Sequence, residues 1–184
     1  ARVLENTRLQ GITNNRDFLV AALRTPAFIA GDTTTDFIER VNPTRTREPS
    51  PTEVSDAAIA ATLFAQDRRR NSAKVLRHIS TGWRNSLMPP ERVQYAVGDN
   101  ECAIEYRAQR DGTFVMNVDG EKHQVGLHGV TGNQIDLAID QRRITFSVSE
   151  DDTNRYVHAP TGDVVLTELD RFPKPGLAEF SGGL

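Results

Sequence analysis

Apolar and polar positions along this chain change their period twice. Up to residue 48 the apolar residues come in short clusters broken by Pro, Gly and Asn. From Ser50 the pattern turns helical, and one long helix is predicted over Ser50 to Ile79. Ser50 suits the N-cap, Pro51 sits at the first helical position where its missing N–H costs nothing, and Glu53 completes a capping box. Nothing from Ala57 to Ala65 is charged, so this stretch is apolar nearly all the way round, as an enclosed helix is and a surface helix is not. After Gln66 the chain becomes charged, with Asp67-Arg68-Arg69-Arg70, and the second half of the helix is expected to leave the enclosure. From Arg92 the period drops to two. Val93, Tyr95 and Val97 alternate with polar residues, as do Cys102, Ile104 and Tyr106; Phe114, Met116 and Val118; Ile135, Leu137 and Ile139; and Ile144, Phe146 and Val148. His123, Val125 and Leu127 follow the rule less cleanly. Tyr156 or Val157, and Val164 with Leu166, add two more short strands.

Turn residues separate these runs: Gly98-Asp99-Asn100, Asp111-Gly112, Asp119-Gly120, Gly129 to Asn133, Gln141-Arg142, Asp151-Asp152 and Thr161-Gly162-Asp163. Asp-Gly between alternating runs is a strong hairpin signal. About eight strands in a meander, each with one dry face, curl toward closure to remove their edges. The predicted fold is therefore α+β: a long central helix wrapped by an antiparallel β-barrel of about eight strands, preceded by a short helical segment. A closed barrel of that size has room inside only for side chains or a small ligand. A helix there needs small residues, and Ala57, Ala58, Ala60, Ala61 and Ala65 supply them. A splayed barrel that wraps the helix in part is the alternative.

The first segment reads as pieces. Arg2 to Arg8 is the tail of a helix, and Gly11 to Asn14 a turn or short strand. Asn15 is placed to cap a helix running to about Arg24, with Phe18, Leu19, Ala22 and Leu23 on one face, and Pro26 stops or redirects it. Ala27 to Asp32 and Thr35 to Arg40 are further helical turns, and Asn42 to Pro49 is a linker. These apolar faces have too little chain to bury them, so the segment is expected to lean on its neighbours or be partly disordered. The chain opens inside a helical pattern without an initiator Met and closes on Ser181-Gly182-Gly183-Leu184, and is read as a piece of a longer polypeptide. The expected divisions are 1–48, 49–170 and a Pro-stiffened linker at 171–184.

The sequence has 184 residues and a formal net charge of −3, which argues against a nucleic-acid surface as its main business. One cysteine, Cys102, rules out a disulfide framework and a cysteine-built zinc site, and fits the bacterial cytoplasm or another reducing compartment. No apolar run approaches the roughly 20 residues needed to span a bilayer. There is no phosphate loop and no nucleophile elbow. Of the four histidines, His123 and His128 flank one predicted strand and are candidates, with Asp136, for a metal. Solvated or hydrogen-bonded strand histidines are the commoner meaning, and no metal site is assigned. Glu101 and Glu105 read as outward surface charges. Arg68, Arg69, Arg70 and Arg77 read as a solvated helix face, and Cys102 as an inert core thiol. The feature with binding character is the irregular stretch Ser80 to Pro90. It holds the single Trp beside Arg, the residue types that dominate binding hot spots; Trp83 folded back to plug the core is the competing reading.

Gly11-Ile12-Thr13-Asn14-Asn15-Arg16-Asp17-Phe18-Leu19, followed by Phe28-Ile29-Ala30-Gly31-Asp32-Thr33-Thr34-Thr35-Asp36-Phe37-Ile38, resembles the C-terminal end of the biotin carboxylase domain of biotin-dependent carboxylases. The continuation, a long helix, a loop with Gly82-Trp83-Arg84-Asn85, a run of strands and an exit at Gly182-Gly183-Leu184, resembles the α subunit of an acyl-CoA carboxylase of the propionyl-CoA or methylcrotonyl-CoA type. The resemblance implies that residues 1–48 are a remnant of the biotin carboxylase domain. Residues 49–170 would be the BT domain that mediates between carboxylase and carboxyltransferase, and 171–184 would lead toward a biotinyl domain. It implies a helix enclosed by an eight-stranded barrel. It also implies a hook onto the carboxyltransferase β subunit, here Thr81, Gly82, Trp83, Arg84, Asn85, Leu87 and Met88 with Trp83 as anchor. The implied partners are that β subunit and the chain's own biotin carboxylase and biotinyl domains, with no nucleic acid and no membrane. ATP, magnesium and biotin belong to the parent ligase. The ATP-grasp body is absent and Met116 is followed by Asn117 rather than a biotinylated Lys, so no catalytic residue and no cofactor is expected in this fragment. The alternative reading is a β-barrel that binds a small apolar ligand, with the helix as a lid.

Overall fold

Two-residue turns organise the second half of the chain. Val97 pairs with Asn100, Val118 with Glu121, Thr131 with Gln134, Ile139 with Arg142, Asp151 with Asn154 and Ala159 with Gly162. Each loop is therefore too short for anything but an antiparallel hairpin. At Asp119-Gly120 both residues have positive φ, 50° and 94°, the geometry that matches the twist of the flanking strands. The computed structural model describes residues 1–75 and 89–171. Its strands are β1 (Glu91–Val97), β2 (Asn100–Ala108), β3 (Thr113–Val118), β4 (Glu121–Thr131), β5 (Gln134–Ile139), β6 (Arg142–Asp151), β7 (Asn154–Ala159) and β8 (Gly162–Glu168). They form a closed antiparallel barrel in sequence order. The closing seam is short: β1 and β8 pair only at Tyr95–Glu168 and Ala96–Thr167, extended by a bond from the Leu169 amide to the Gln94 carbonyl.

The alternating residues face inward as expected. Tyr95, Ile104, Met116, Val125, Ile135, Leu137, Ile139, Phe146, Val148, Val157 and Leu166 are buried. Val157, not Tyr156, is the inward residue of β7. The irregular run in β4 has a local cause. The register slips between Leu127 and Gly129, so His128 is an extra residue, and Val130 regains the register opposite Ile135. Three turns lie one or two residues from their expected places. Asp140-Gln141 turns between β5 and β6, Asp152-Thr153 between β6 and β7, and Pro160-Thr161 between β7 and β8. At the first two a short acidic side chain that tolerates the left-handed region carries the bend, with φ 54° at Asp140 and 49° at Asp152.

Before the barrel come α1 (Arg2–Glu5), α2 (Arg16–Leu23), α3 (Pro26–Ile29), α4 (Phe37–Val41) and the long α5 (Pro51–Ser72). The capping box of α5 is formed: the Glu53 amide donates to Ser50 Oγ at 3.3 Å and the Ser50 amide to Glu53 Oε2 at 2.7 Å. Every residue from Asp56 to Gln66 is buried, and α5 approaches all eight strands. Ile59, Leu63 and Phe64 share one apolar cluster with the inward residues of the strands.

The helix stops at Ser72 rather than Ile79. Asn71 turns its amide to Asp67 at 2.8 Å, and Ser72 returns its hydroxyl to the Arg69 carbonyl at 3.0 Å. Ala73 follows with an extended ψ of 128°. Asn and Ser compete for backbone hydrogen bonds, and past Gln66 the helix has no apolar face whose burial would outweigh that competition. The remaining predicted helical residues, 76–79, lie outside the described residues.

The first segment does lean on its neighbour. Arg16, buried in α2, donates to the Thr7 carbonyl at 3.0 Å and bonds Asp163 on β8. Arg47 reaches the Thr161 carbonyl at 2.9 Å and lies against Gly162, where an added Cβ would meet the guanidinium at 2.3 Å. The predicted apolar face of α2 is only partly covered: Ala22 is buried but Leu19 is exposed. Asn15 makes no side-chain cap; the neighbouring Asn14 accepts the Arg16 amide at 3.0 Å instead.

Candidate functional site

The barrel has two differently built ends. At the N-terminal end of α5, Asp56 takes both terminal nitrogens of Arg142 at 2.9 Å each, fixing the helix to the first residue of β6. Beside it the Ser55 hydroxyl lies 3.4 Å from His123 Nε2, and His123 Nδ1 lies 3.0 Å from Asp140. The His123 hydrogen bond, with help from the Gln124 amide, holds the Asp140 carboxyl below its usual range although burial opposes it. Ser55, His123 and Asp140 stand in the order of nucleophile, base and orienting acid at the wall of an open cleft of about 730 Å³. Ser55, however, sits in the body of α5, where its own N–H is spent on the helix ladder and is not free to receive an oxyanion. The chain of bonds reads as a latch between helix and barrel.

At the other end α5 reaches its last turns and β1 begins. The Arg68 guanidinium lies 5.5 Å from the centre of the Phe64 ring and bonds Glu150 at 3.3 Å. Arg155 stands 3.4 Å from Glu150, without hydrogen-bond geometry, and 2.8 Å from Glu168. Arg69 Nη2 donates to the Tyr106 hydroxyl at 3.2 Å, and that hydroxyl donates to Glu91 at 2.6 Å. Arg69, Glu91, Tyr106, Arg155, Glu168 and Arg171 line an open groove of about 770 Å³. The basic run of α5 is thus engaged in local bonds rather than simply solvated.

Residues 51–171 match the family described as methylcrotonyl-CoA carboxylase, alpha-subunit, BT domain. The chain belongs to this family. The matched stretch starts on the first residue of α5 and runs just past β8. Comparison with curated proteins gave no match. In this BT domain the anticipated partner-binding residues Thr81, Gly82, Trp83, Arg84, Asn85, Leu87 and Met88 lie outside the described residues, as does Arg77. The described structure supplies their two stems: Ser72 to Val75 on one side and Pro89 to Arg92 on the other.

His123 and His128 do not meet at Asp136. Asp136 is taken by Arg143, at 2.6 Å, while His123 pairs with Asp140. His158 pairs with Asp163, next to Arg16. Among the described residues no three His, Cys, Asp or Glu side chains group closely enough to hold a metal ion. Glu105 forms a surface pair with Arg92 at 2.7 Å and Glu101 is exposed. Cys102 is buried, and burial, with the Asp119 carboxylate beside it, pushes its thiol up to about 12. Among the described residues no helix is long and apolar enough to cross a membrane. Sequence reasoning missed two side-chain groupings, the Ser55–His123–Asp140 latch and the Arg69–Tyr106–Glu91 chain. Both join residues far apart in sequence, and periodicity assigns Tyr106 to the core without regard to its hydroxyl.

Proposed function

We propose that this chain supplies the non-catalytic assembly domain of a biotin-dependent acyl-CoA carboxylase α subunit, docking it onto the carboxyltransferase β subunit. The observation that carries the reading is the family match over residues 51–171, which coincides with one helix–barrel unit. In this reading α5 runs along the barrel interior, in keeping with its unbroken burial from Asp56 to Gln66. The stretch between α5 and β1 is the hook, with Trp83 as anchor. Residues 1–48 are the end of the biotin carboxylase domain, 49–170 the BT domain, and 171–184 the path toward a biotinyl domain. The parent enzyme uses ATP and magnesium to carboxylate biotin and then passes the carboxyl group to an acyl-CoA. This chain's part is to hold those sites within reach of each other.

The test is a calorimetric titration of the chain against the β subunit. Trp83→Ala is expected to weaken binding by about 2 kcal/mol or more with the fold intact. Unchanged affinity would remove the docking reading. The rival reading, a small-ligand barrel, needs space between α5 and the strands, and there Ile59, Leu63, Phe64 and the alanines pack against the inward strand residues.

A further inference from the structure

The ring of Tyr106 belongs to the core and is 2% exposed, so a phenylalanine would fill the same space. Its hydroxyl does something the core does not require. It accepts from Arg69 in the last turns of α5 and donates to Glu91, the first residue of β1. Arg69 and Glu91 are both exposed side chains. They stand on opposite sides of the same break in regular structure: α5 ends at Ser72 and β1 begins at Glu91. Nearby, Arg68 acts on β6 and Arg155 on β6 and β8. The other buried tyrosine, Tyr95, bonds Thr62 at 3.2 Å inside the core and touches neither stem.

We propose that Tyr106 is the positioning residue for the docking segment, its hydroxyl stapling the helix that leads into that segment to the strand that leads out of it. The inference rests on the docking reading above. Stems held at a fixed separation lose less freedom on association, and the saving appears as affinity. Burial and the Glu91 carboxylate both raise the Tyr106 phenol above its ordinary value, so it keeps its proton and remains a donor.

The experiment compares the chain with its Tyr106→Phe, Glu91→Ala, Tyr106→Phe/Glu91→Ala and Trp83→Ala variants. Three quantities are read: affinity for the carboxyltransferase β subunit, the rate of tryptic cleavage after Arg77 and Arg84 under native conditions, and the thermal midpoint. Tyr106→Phe is expected to weaken binding about tenfold, the loss expected from one or two hydrogen bonds. It should also speed cleavage at both arginines and leave the midpoint within a few degrees. The double variant should lose no more than the larger single loss, because both changes open the same staple. Wild-type affinity and cleavage in Tyr106→Phe, alongside a weakened Trp83→Ala, would overturn the staple and leave the docking reading standing. Wild-type affinity in Trp83→Ala would overturn the docking reading, while the cleavage rates still judge the staple. A core variant such as Val148→Ala that loses as much affinity as Tyr106→Phe for the same loss of midpoint would reduce Tyr106 to a general stabiliser and overturn its positioning role.

Discussion

Cys102 sits on β2 with 2% of its surface exposed and its thiol pushed up to about 12 by burial. The thiolate is the reactive species, so at neutral pH this residue carries almost none of it. A colorimetric thiol reagent at pH 8 should find the native chain unreactive over many minutes and count one thiol once denaturant is added. Prompt labelling of the folded chain would mean that β2 opens locally or that the residue is not enclosed. Alternation along Asn100–Ala108 was enough to place Cys102 indoors. It was not enough for Arg16, whose buried guanidinium is held by Thr7 and Asp163. A charge earns no inward mark from periodicity, and its partner on β8 is 147 residues away. The Tyr106 hydroxyl was invisible for the same reason, with partners 37 and 15 residues distant.

The start of α5 is where local signal and tertiary contact agree. Ser50 and Glu53 satisfy each other's amides, Arg47 adds an ion pair to Glu53 at 2.9 Å, and Asp140 anchors His123 close by. Burial works to raise the Glu53 carboxyl, but the Ser50 amide and hydroxyl and the Arg47 charge outweigh it and leave it low. The Asp140 carboxyl is low as well, chiefly through its bond from His123. A carboxyl depressed in the folded state contributes fully above its unfolded value, about 4, and loses that contribution as pH falls through the folded value. The thermal midpoint should therefore decline below about pH 4. Glu53→Gln should start lower at pH 7 and decline less steeply, because one titrating group is gone. Parallel curves for the two proteins would remove Glu53 from the account. The strands were readable because each alternates with one dry face. β4 blurred because the extra residue at His128 shifts the apolar positions from 125 and 127 to 130. The far end of α5 was misread because charge alone does not say where a helix stops.

Across the whole molecule, fit between α5 and the strands it packs against decides what can be accommodated. Ala58, Ala60 and Ala61 have no exposed surface, and they lie in one cluster with residues from every strand. Ala61→Leu should lower stability by about 1–3 kcal/mol, read as a lower denaturant midpoint at unchanged slope. A midpoint equal to wild type would reveal spare room around α5, which is what a ligand-binding barrel requires. The helix-and-barrel architecture was legible as a balance of surfaces, an all-apolar rod and a one-faced sheet each needing the other. The stretch proposed for docking was legible only as composition.

The brevity of the β1–β8 seam bears on how such an object comes to exist. The rod precedes every strand in the chain, and each hairpin adds to the one before it through neighbours in sequence. Among the strand pairings only the last, Tyr95 with Glu168 and Ala96 with Thr167, joins distant residues, and it has two rungs. Assembled in that sequence, each new strand meets a helix already present. The two-rung seam is then the last to close.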